Sequence, residues 1–124
     1  MKWLALLAAA ALPAAAAGDP TRGEKIYERC AACHSLAADR AGPRHCGLIG
    51  RKAASVPGFE YSPAMKRSGL TWNARSLDRF LADPLRVVPG TAMGYDGVKD
   101  PAERADLIAY LSAAQRSGAC RQPL

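Results

Sequence analysis

The stretch Cys30-Ala31-Ala32-Cys33-His34 carries the most specific signal in the sequence. Two cysteines three positions apart lie on one side of a helical turn, so both thiols can reach the two vinyl groups along one edge of a porphyrin. The histidine that follows then lies beneath the ring and can offer an imidazole nitrogen to the iron. This spacing predicts covalent attachment of one c-type haem through Cys30 and Cys33, with His34 as an iron ligand.

Two other kinds of site use similar spacing. A redox dithiol also uses C-x-x-C, but it is expected within a βαβ unit, and the sequence shows no such pattern. A zinc site needs a second pair of ligands at a suitable separation. The remaining candidates, His45, Cys46 and Cys120, do not have that separation. Haem attachment is therefore the prediction.

The first seventeen residues have the organisation of a secretory signal peptide. Lys2 supplies a basic start, residues 3–12 are apolar, and Ala15-Ala16-Ala17 form a cleavage signal. The apolar stretch is too short for a membrane-spanning helix, and no later segment is apolar enough to be one. We expect residues 1–17 to be cleaved and residues 18–124 to form one domain in the periplasm. An uncleaved anchor or a core helix is the alternative.

The charge balance narrows the choice of partner. Cleavage takes away one lysine and no acidic residue, so the formal charge falls from +6 to +5. The sequence has no basic run interleaved with aromatic residues, and nucleic-acid binding is therefore not indicated. An excess of bases on an exported protein favours an acidic protein partner. The mature domain has few large apolar side chains, which indicates that a large buried ligand completes its core.

Three helices are predicted from the same sequence pattern, an N-cap residue followed by proline in the first helical turn. These pairs are Asp19-Pro20, Ser62-Pro63 and Asp100-Pro101. The first helix is predicted to run to about Cys30 and the second to stop at Gly69. In the last helix, Glu103 occupies the position of a capping box.

A fourth helix is predicted to begin near Asn73 and to end before Pro84, since the apolar residues between them recur at helical spacing. Long loops with many glycines and prolines cover roughly residues 35–61 and 84–99. No segment alternates like a strand for a useful length. The predicted fold class is all-α, with about four short helices and long loops wrapped around one covalently bound haem.

The sixth iron ligand must come from far along the chain, because it approaches the opposite face of the ring. Met65 lies inside a predicted helix, where methionine usually serves packing. His45 is only eleven residues beyond His34, a tight path around the ring edge. Met93 lies in the loop 89–94, whose glycines let the backbone approach a large flat ligand closely. Met93 is therefore the predicted ligand.

From Gly42 to Leu111 the sequence resembles class I cytochrome c of the mitochondrial and α-proteobacterial type, which includes cytochrome c2. The matching segments follow the family's order and spacing: Gly42-Pro43, Gly47-Leu48-Ile49-Gly50-Arg51-Lys52, Pro57-Gly58-Phe59-Glu60-Tyr61, Gly69-Leu70-Thr71-Trp72, Pro89-Gly90-Thr91-Ala92-Met93 and Asp106-Leu107-Ile108-Ala109-Tyr110-Leu111. The resemblance implies the small cytochrome c fold. It also implies a one-electron carrier with a single His/Met-ligated haem, not an enzyme.

The resemblance implies further roles in the site. The backbone carbonyl of Pro43 is expected to accept the free ring N–H of His34, which fixes the tautomer of the ligand. A buried carboxylate is costly unless it is paired or hydrogen-bonded, and three residues match those that hold the haem propionates: Arg51, Tyr61 and Trp72. Thr91 matches a hydroxyl near the inner propionate. The corresponding alternatives are a solvated arginine and two core aromatic residues.

Some matches concern structure, and some positions depart from the family. Four residues match the crossing of the first and last helices, where a glycine admits an aromatic ring: Gly23, Tyr27, Leu107 and Tyr110. Phe80 stands where many relatives carry a tyrosine that reaches the methionine sulfur, and Met65 replaces a polar residue. His45 stands where relatives place leucine against the haem, and we expect it to be hydrogen-bonded or solvent-facing rather than a ligand.

The resemblance implies a soluble, monomeric shuttle between exported redox proteins. Its partners would be a quinol-cytochrome c oxidoreductase and a terminal oxidase or photosynthetic reaction centre. Docking would use the exposed haem edge and nearby bases such as Lys25, Arg29 and Arg86; the alternative for these bases is solvated surface charge without a docking role. A dedicated electron acceptor of one periplasmic dehydrogenase is an alternative, and so is a haem enzyme or gas sensor with a labile sixth ligand.

The resemblance also places Cys46 in the loop after Pro43 and Cys120 just past the last helix, whose end is expected to return towards that loop. Thioether bonds at Cys30 and Cys33 would leave these two thiols for one intrachain bridge in an oxidising compartment. We therefore expect a disulfide between Cys46 and Cys120. Two free thiols, or a bridge between chains, are the alternatives.

Overall fold

A computed structural model describes residues 4–9 and 18–121 of the chain. The predicted signal peptide, residues 1–17, lies mostly outside the described residues and stays a prediction. Residues 4–9 are exposed and have no regular secondary structure. In the described ranges the regular structure is helical, apart from one isolated antiparallel bridge between Lys52 and Thr71.

The described residues form six helices in the order α1 (Pro20–Tyr27), α2 (Pro63–Arg67), α3 (Ala74–Ala82), α4 (Pro84–Val87), α5 (Pro101–Ala114) and α6 (Gly118–Arg121). The four predicted helices correspond to α1, α2, α3 and α5, so the all-α fold class is confirmed. The helices α4 and α6 were missed, because a single turn of four residues has too little periodicity to be recognised.

The first helix ends earlier than predicted. The α-helical pattern of α1 stops at Tyr27, and the chain continues through tight turns towards Cys30. The backbone N–H of Arg29 donates to the carbonyl of Ile26 at 3.0 Å, and that of Cys30 donates to the carbonyl of Tyr27 at 2.8 Å. These hydrogen bonds join residues three positions apart, as in a 3₁₀-helix, and they wind the chain more tightly at the start of the C-x-x-C-H motif.

Three helices begin at the predicted N-cap residues. The carboxylate of Asp19 accepts from the backbone N–H of Thr21 at 2.8 Å, and the hydroxyl of Ser62 accepts from the N–H of Met65 at 3.1 Å. The carboxylate of Asp100 accepts from the N–H of Ala102 at 2.9 Å. Each cap satisfies a backbone donor that the first helical turn leaves without a partner.

The predicted capping box at Glu103 is wrong. The carboxylate of Glu103 forms a bidentate ion pair with Arg29, at 2.7 and 3.0 Å, and this pair joins the end of the α1 region to α5. A guanidinium is a stronger partner for a carboxylate than one backbone N–H. A reciprocal capping box does occur at α3, where Asn73 and Ser76 exchange two hydrogen bonds of 2.9 Å.

The helices α1 and α5 cross at Gly23, as expected. Gly23 is buried, and a β-carbon there would collide first with the backbone carbonyl of Asp106 and then with the β-carbon of Tyr110. The ring of Tyr27 lies 5.1 Å from that of Tyr110, and Leu107 is only 1% exposed beneath the crossing. Glycine is therefore required because the two backbones touch, more than because an aromatic ring needs space.

The helix α5 also packs against α3, and this contact closes one side of the core. Arg104 of α5 donates to the carboxylate of Asp78 of α3 at 2.8 Å and to the carbonyl of Val98 at 2.9 Å. Beneath these polar contacts, Leu77 and Phe80 are buried against α5 and the loops. None of the helices in the described ranges has the length and apolar character needed to cross a membrane.

The cysteines outside the haem-binding motif lie side by side. Cys46 belongs to the loop after α1, and Cys120 belongs to α6, just beyond α5. Their α-carbons are 5.2 Å apart although 74 positions separate them in the sequence. This distance lies within the range that a disulfide spans without backbone movement.

Asp106 ties the start of α1 to α5. Its carboxylate accepts from the side chain of Arg22 at 3.0 Å and from the backbone N–H of Asp19 at 2.7 Å. The hydrogen bond from Arg22, and then that from Asp19, hold the pKa of the Asp106 carboxyl below its ordinary value. The carboxylate therefore stabilises the folded state above pH of about 4, where unfolded aspartate is ionised, and this stabilisation is lost as the pH falls through the folded pKa.

We expect Asp106→Asn to lower the urea midpoint of unfolding at neutral pH, with a gap to wild type that shrinks as the pH falls below about 4. Urea titrations of the haem-loaded protein across this range check the prediction. Asp96→Asn is the matched control, because Asp96 is exposed and forms no ion pair among residues 18–121. A gap for Asp106→Asn that stays constant into acid would contradict this role of the carboxylate.

Candidate cofactor site

A cavity of about 440 Å³ opens between α1, α3, α5 and the long loops. Apolar side chains make up most of its wall, among them Leu48, Leu77 and Phe80. The cavity brings together every residue that the sequence predicts for the cofactor and its iron: Cys30, Cys33, His34, Pro43, Arg51, Tyr61, Trp72, Thr91 and Met93.

The haem-binding motif forms one wall of the cavity. The backbone N–H groups of Cys33 and His34 both donate to the carbonyl of Cys30, at 3.1 and 2.9 Å, so the motif forms a helical turn. Neither Cys30 nor Cys33 is disulfide-bonded, and burial raises the pKa of the Cys30 thiol. A turn with two reduced thiols on one side is the arrangement that two thioether bonds need.

His34 is held by the loop that follows the motif. Its Nδ1 lies 2.8 Å from the carbonyl oxygen of Pro43, as the resemblance implied. With the hydrogen on Nδ1, the lone pair of Nε2 is free for a metal ion. Burial lowers the pKa of His34, which favours the neutral ring that a metal requires. Gly42 packs so closely that a β-carbon in its place would overlap the imidazole.

His45 lies directly against His34. The two imidazole rings are stacked, with centroids 4.2 Å apart and planes inclined by 21°. The Nδ1 atom of His45 lies 2.9 Å from the hydroxyl oxygen of Tyr27, in a hydrogen bond between the loop and α1. Burial, and then the charges of His34 and Arg51, lower the pKa of His45 to about 3. His45 is therefore a neutral, hydrogen-bonded residue of the cavity wall, consistent with the expectation that it is not a ligand.

Backbone pairing brings Arg51 and Trp72 together. The N–H of Gly50 donates to the carbonyl of Trp72 at 2.7 Å, and the N–H of Trp72 donates to the carbonyl of Arg51 at 2.9 Å. Nearby, the hydroxyl of Tyr61 accepts from the N–H of Val56 at 3.1 Å. The hydroxyl hydrogen of Tyr61 is therefore available to donate to a group in the cavity.

Arg51 is a half-buried cation in this wall. Its guanidinium donates to the backbone carbonyls of Arg44 at 3.0 Å and Cys46 at 3.3 Å. Burial lowers its pKa, and within residues 18–121 no carboxylate forms an ion pair with it. An apolar cavity with a half-buried cation and a phenol hydroxyl fits a large flat apolar group that carries carboxylates, as haem does.

Two methionines line the cavity from different sides. Met93 lies in the loop after α4, where its backbone N–H donates to the hydroxyl of Thr91 at 3.2 Å. Met65 belongs to α2, and the hydroxyl of Ser68 contacts its sulfur at 3.9 Å. Among the described residues, no such contact is recorded for the sulfur of Met93. The Thr91 hydroxyl helps to shape the loop that presents Met93.

The docking surface needs one correction. Arg29 is not a free base, because its guanidinium is neutralised by the carboxylate of Glu103. Lys25 and Arg86 are exposed, and neither forms an ion pair in the described part of the chain. The ion pair between Arg29 and Glu103 could not be predicted from local sequence, since 74 positions separate the two residues.

The hydrogen bond between Tyr27 and His45 is the feature of the site that sequence reasoning missed. A tyrosine and a histidine 18 positions apart in different elements follow no helical or metal-binding spacing. The only sequence signal was that His45 stands where the resemblance to the family implies a leucine. That signal did not identify Tyr27 as the hydrogen-bond partner.

The fold and the cavity are those of a small all-α protein that encloses a large flat group, and the relatives make it an electron-transfer protein with covalently bound haem c. The family model described as Cytochrome c matches residues 20–115, and the chain belongs to the cytochrome c family.

The similarity extends to individual relatives. Cytochrome c2 of Rhodomicrobium vannielii is 49% identical over 100 residues, which cover 78% of this chain and 80% of the relative. Cytochrome c2 of Blastochloris viridis is 41% identical over 118 residues, which cover 93% of this chain and 92% of the relative. The solved structure of cytochrome cH from Methylobacterium extorquens matches with a TM-score of 0.75 and 43% identity, covering 77% of this chain and 99% of that one.

Proposed function

We propose that residues 18–124 form a soluble periplasmic one-electron carrier, with a single haem bound through Cys30 and Cys33 and ligated by His34 and Met93. The observation that carries this proposal is the cavity, which gathers the C-x-x-C-H motif, Met93 and the half-buried Arg51 around one apolar space. When bound, haem supplies an iron that gains and loses one electron.

Two residues of the chain would supply the protein ligands of the haem iron. The carbonyl of Pro43 holds the Nδ1 hydrogen of His34, which keeps Nε2 as the donor atom and increases its basicity. The thioether of Met93 is the second donor, and the combination of methionine and histidine raises the reduction potential. If both residues bind the iron, the protein would leave no iron position open to a substrate. The site is therefore suited to electron exchange.

Three residues would hold the haem propionates, with Thr91 nearby: Arg51, Tyr61 and Trp72. Arg51 supplies a half-buried positive charge, and its backbone pairing with Trp72 keeps the two residues adjacent. Tyr61 retains a hydrogen to donate. These donors would offset the cost of burying carboxylates, which is large when such groups are left without partners.

Export and partners complete the proposal. The signal-peptide pattern of residues 1–17 supports cleavage and a periplasmic location, and an oxidising compartment supports a disulfide between Cys46 and Cys120. We place this carrier, as a monomer, between a quinol-cytochrome c oxidoreductase and a terminal oxidase or photosynthetic reaction centre. Electron-transfer rates with each isolated complex test this placement.

Covalent attachment gives the first test of the proposed site. Extraction of the purified protein with acidified acetone is expected to leave the colour with the protein, because thioether bonds survive acid. Cys30→Ser/Cys33→Ser is expected to lose its colour to the solvent. In wild type, the oxidised spectrum is expected to show the weak far-red band of an iron–methionine bond. Colour extracted from wild type would refute thioether attachment.

Electrostatic docking gives a second test. We expect the electron-transfer rate with a partner complex to fall as salt rises, because exposed charges are screened over roughly 8–10 Å at moderate ionic strength. Arg86→Gln is expected to lower the rate at low salt and to flatten its salt dependence, since α4 precedes the Met93 loop. Arg116→Gln, beyond the end of α5, is the matched control. A wild-type rate indifferent to salt would indicate apolar docking.

A further inference from the structure

We propose that the ring of His45, stacked on His34 and packed against the ring of Tyr27, is a positioning device that sets the plane of the His34 imidazole. The inference rests on the proposed role of His34 as an axial ligand. It assigns a function to His45, a residue of the cavity wall to which the proposed function gives no role.

The Pro43 hydrogen bond alone does not determine this plane. A single hydrogen bond restrains the direction of one ring atom, and the ring can still tilt about that contact. A second ring lying nearly parallel at van der Waals distance restrains the face itself. His45 supplies this second ring, since its centroid is 4.2 Å from that of His34 and the two planes differ by 21°.

Contacts to both the backbone and the ring of His45 hold this residue in place. Its backbone N–H donates to the carbonyl of Ser35 at 3.1 Å, and its carbonyl accepts from the side chain of Gln115 at 3.0 Å. Its ring is held by the hydroxyl of Tyr27 at 2.9 Å. The backbone bonds fix the position of the residue, and the ring of Tyr27 packs edge-on against its ring, with centroids 5.6 Å apart.

Tyr27 is in turn fixed by the helix crossing. It is buried in α1, 8% exposed, and its ring lies 5.1 Å from that of Tyr110 in α5. A continuous series of contacts therefore runs from the α1–α5 crossing through Tyr27 and His45 to His34. The same geometry argues against His45 as the second iron ligand, because its ring lies against His34 and its Nδ1 is engaged by Tyr27.

The test uses proton NMR of the oxidised, haem-loaded protein. The paramagnetic shifts of the four haem methyl groups depend on the plane of the axial imidazole, which directs the unpaired spin within the porphyrin. Tyr27→Phe/His45→Phe keeps two rings, and Tyr27→Phe/His45→Leu removes the stacked ring. Neither double variant leaves a buried hydroxyl without a partner. Tyr110→Phe is the control for losing a neighbouring tyrosine hydroxyl.

We expect Tyr27→Phe/His45→Leu to change the order or the spread of the methyl shifts. Tyr27→Phe/His45→Phe and Tyr110→Phe are expected to retain the wild-type pattern. A wild-type pattern in the leucine variant would overturn the inference, and so would equal changes in both double variants. If the wild-type protein itself lacked the methionine-ligated spectrum, the proposed function would be refuted instead. Failure of the inference and failure of the proposed function are therefore distinguishable.

Discussion

Met93→Ala is expected to leave haem attached to the protein and to abolish the spectrum of the iron–methionine bond. In the proposed site, attachment depends on Cys30 and Cys33, which the substitution does not touch. The sixth position would lose its thioether, and water or an added ligand could then occupy it. Because axial ligands tune haem potentials over roughly 0.8 V, the reduction potential is expected to fall by at least ~0.1 V.

Met65→Ala is the matched control for this prediction, since Met65 is the other methionine that lines the cavity. Its place in α2 and the contact of its sulfur with Ser68 indicate packing, so the variant is expected to keep the methionine-ligated spectrum. Oxidised spectra, redox titration and binding of added imidazole check both variants. The assignment of Met93 is wrong if Met65→Ala loses the band and Met93→Ala retains it.

Removal of the bridge between Cys46 and Cys120 is expected to destabilise the folded protein by roughly 4 kcal/mol. The bridge would close a loop of 74 positions, and the restriction it places on the unfolded chain grows with the logarithm of loop length. The loss is a large share of the total stability of a small domain. The melting temperature is therefore expected to fall by on the order of 15–30 °C.

The variant Cys46→Ser/Cys120→Ser tests this expectation in the haem-loaded protein, with thermal and urea unfolding as the measurements. Treatment of wild type with a thiol reductant is the control, because reduction is expected to cost the same stability and to leave the double variant unchanged. Non-reducing alkylation followed by intact mass is expected to show no free thiol at these positions. Two alkylated thiols in the native protein would exclude the bridge.

The double variant also tests whether the bridge supports the site. The loop that contains Cys46 carries His45, which stacks on His34, and its backbone is tied to α5 by Gln115. Gln115 accepts from the N–H of Gly47 at 2.6 Å and donates to the carbonyl of His45 at 3.0 Å. Because these hydrogen bonds persist without the bridge, we expect the spectrum of the folded double variant to remain that of wild type.

The sequence by itself determined the features that depend on a few neighbouring residues. The spacing of Cys30, Cys33 and His34 identified the haem-binding turn, and a capping residue before proline located three helix starts. Such signals are readable because capping and turn chemistry act over three or four positions. The resemblance to the family added the expected positions around the cavity, including Pro43 and Met93.

Only the tertiary structure decided which distant groups meet. Glu103 pairs with Arg29 instead of capping its own helix, because the crossing of α1 and α5 brings a guanidinium within reach. His45 meets Tyr27 and His34, and Arg51 lines the cavity with no ion pair to a carboxylate of residues 18–121, because loops far apart in sequence close around one apolar space. These contacts depend on the path of the whole chain, and no local spacing encodes them.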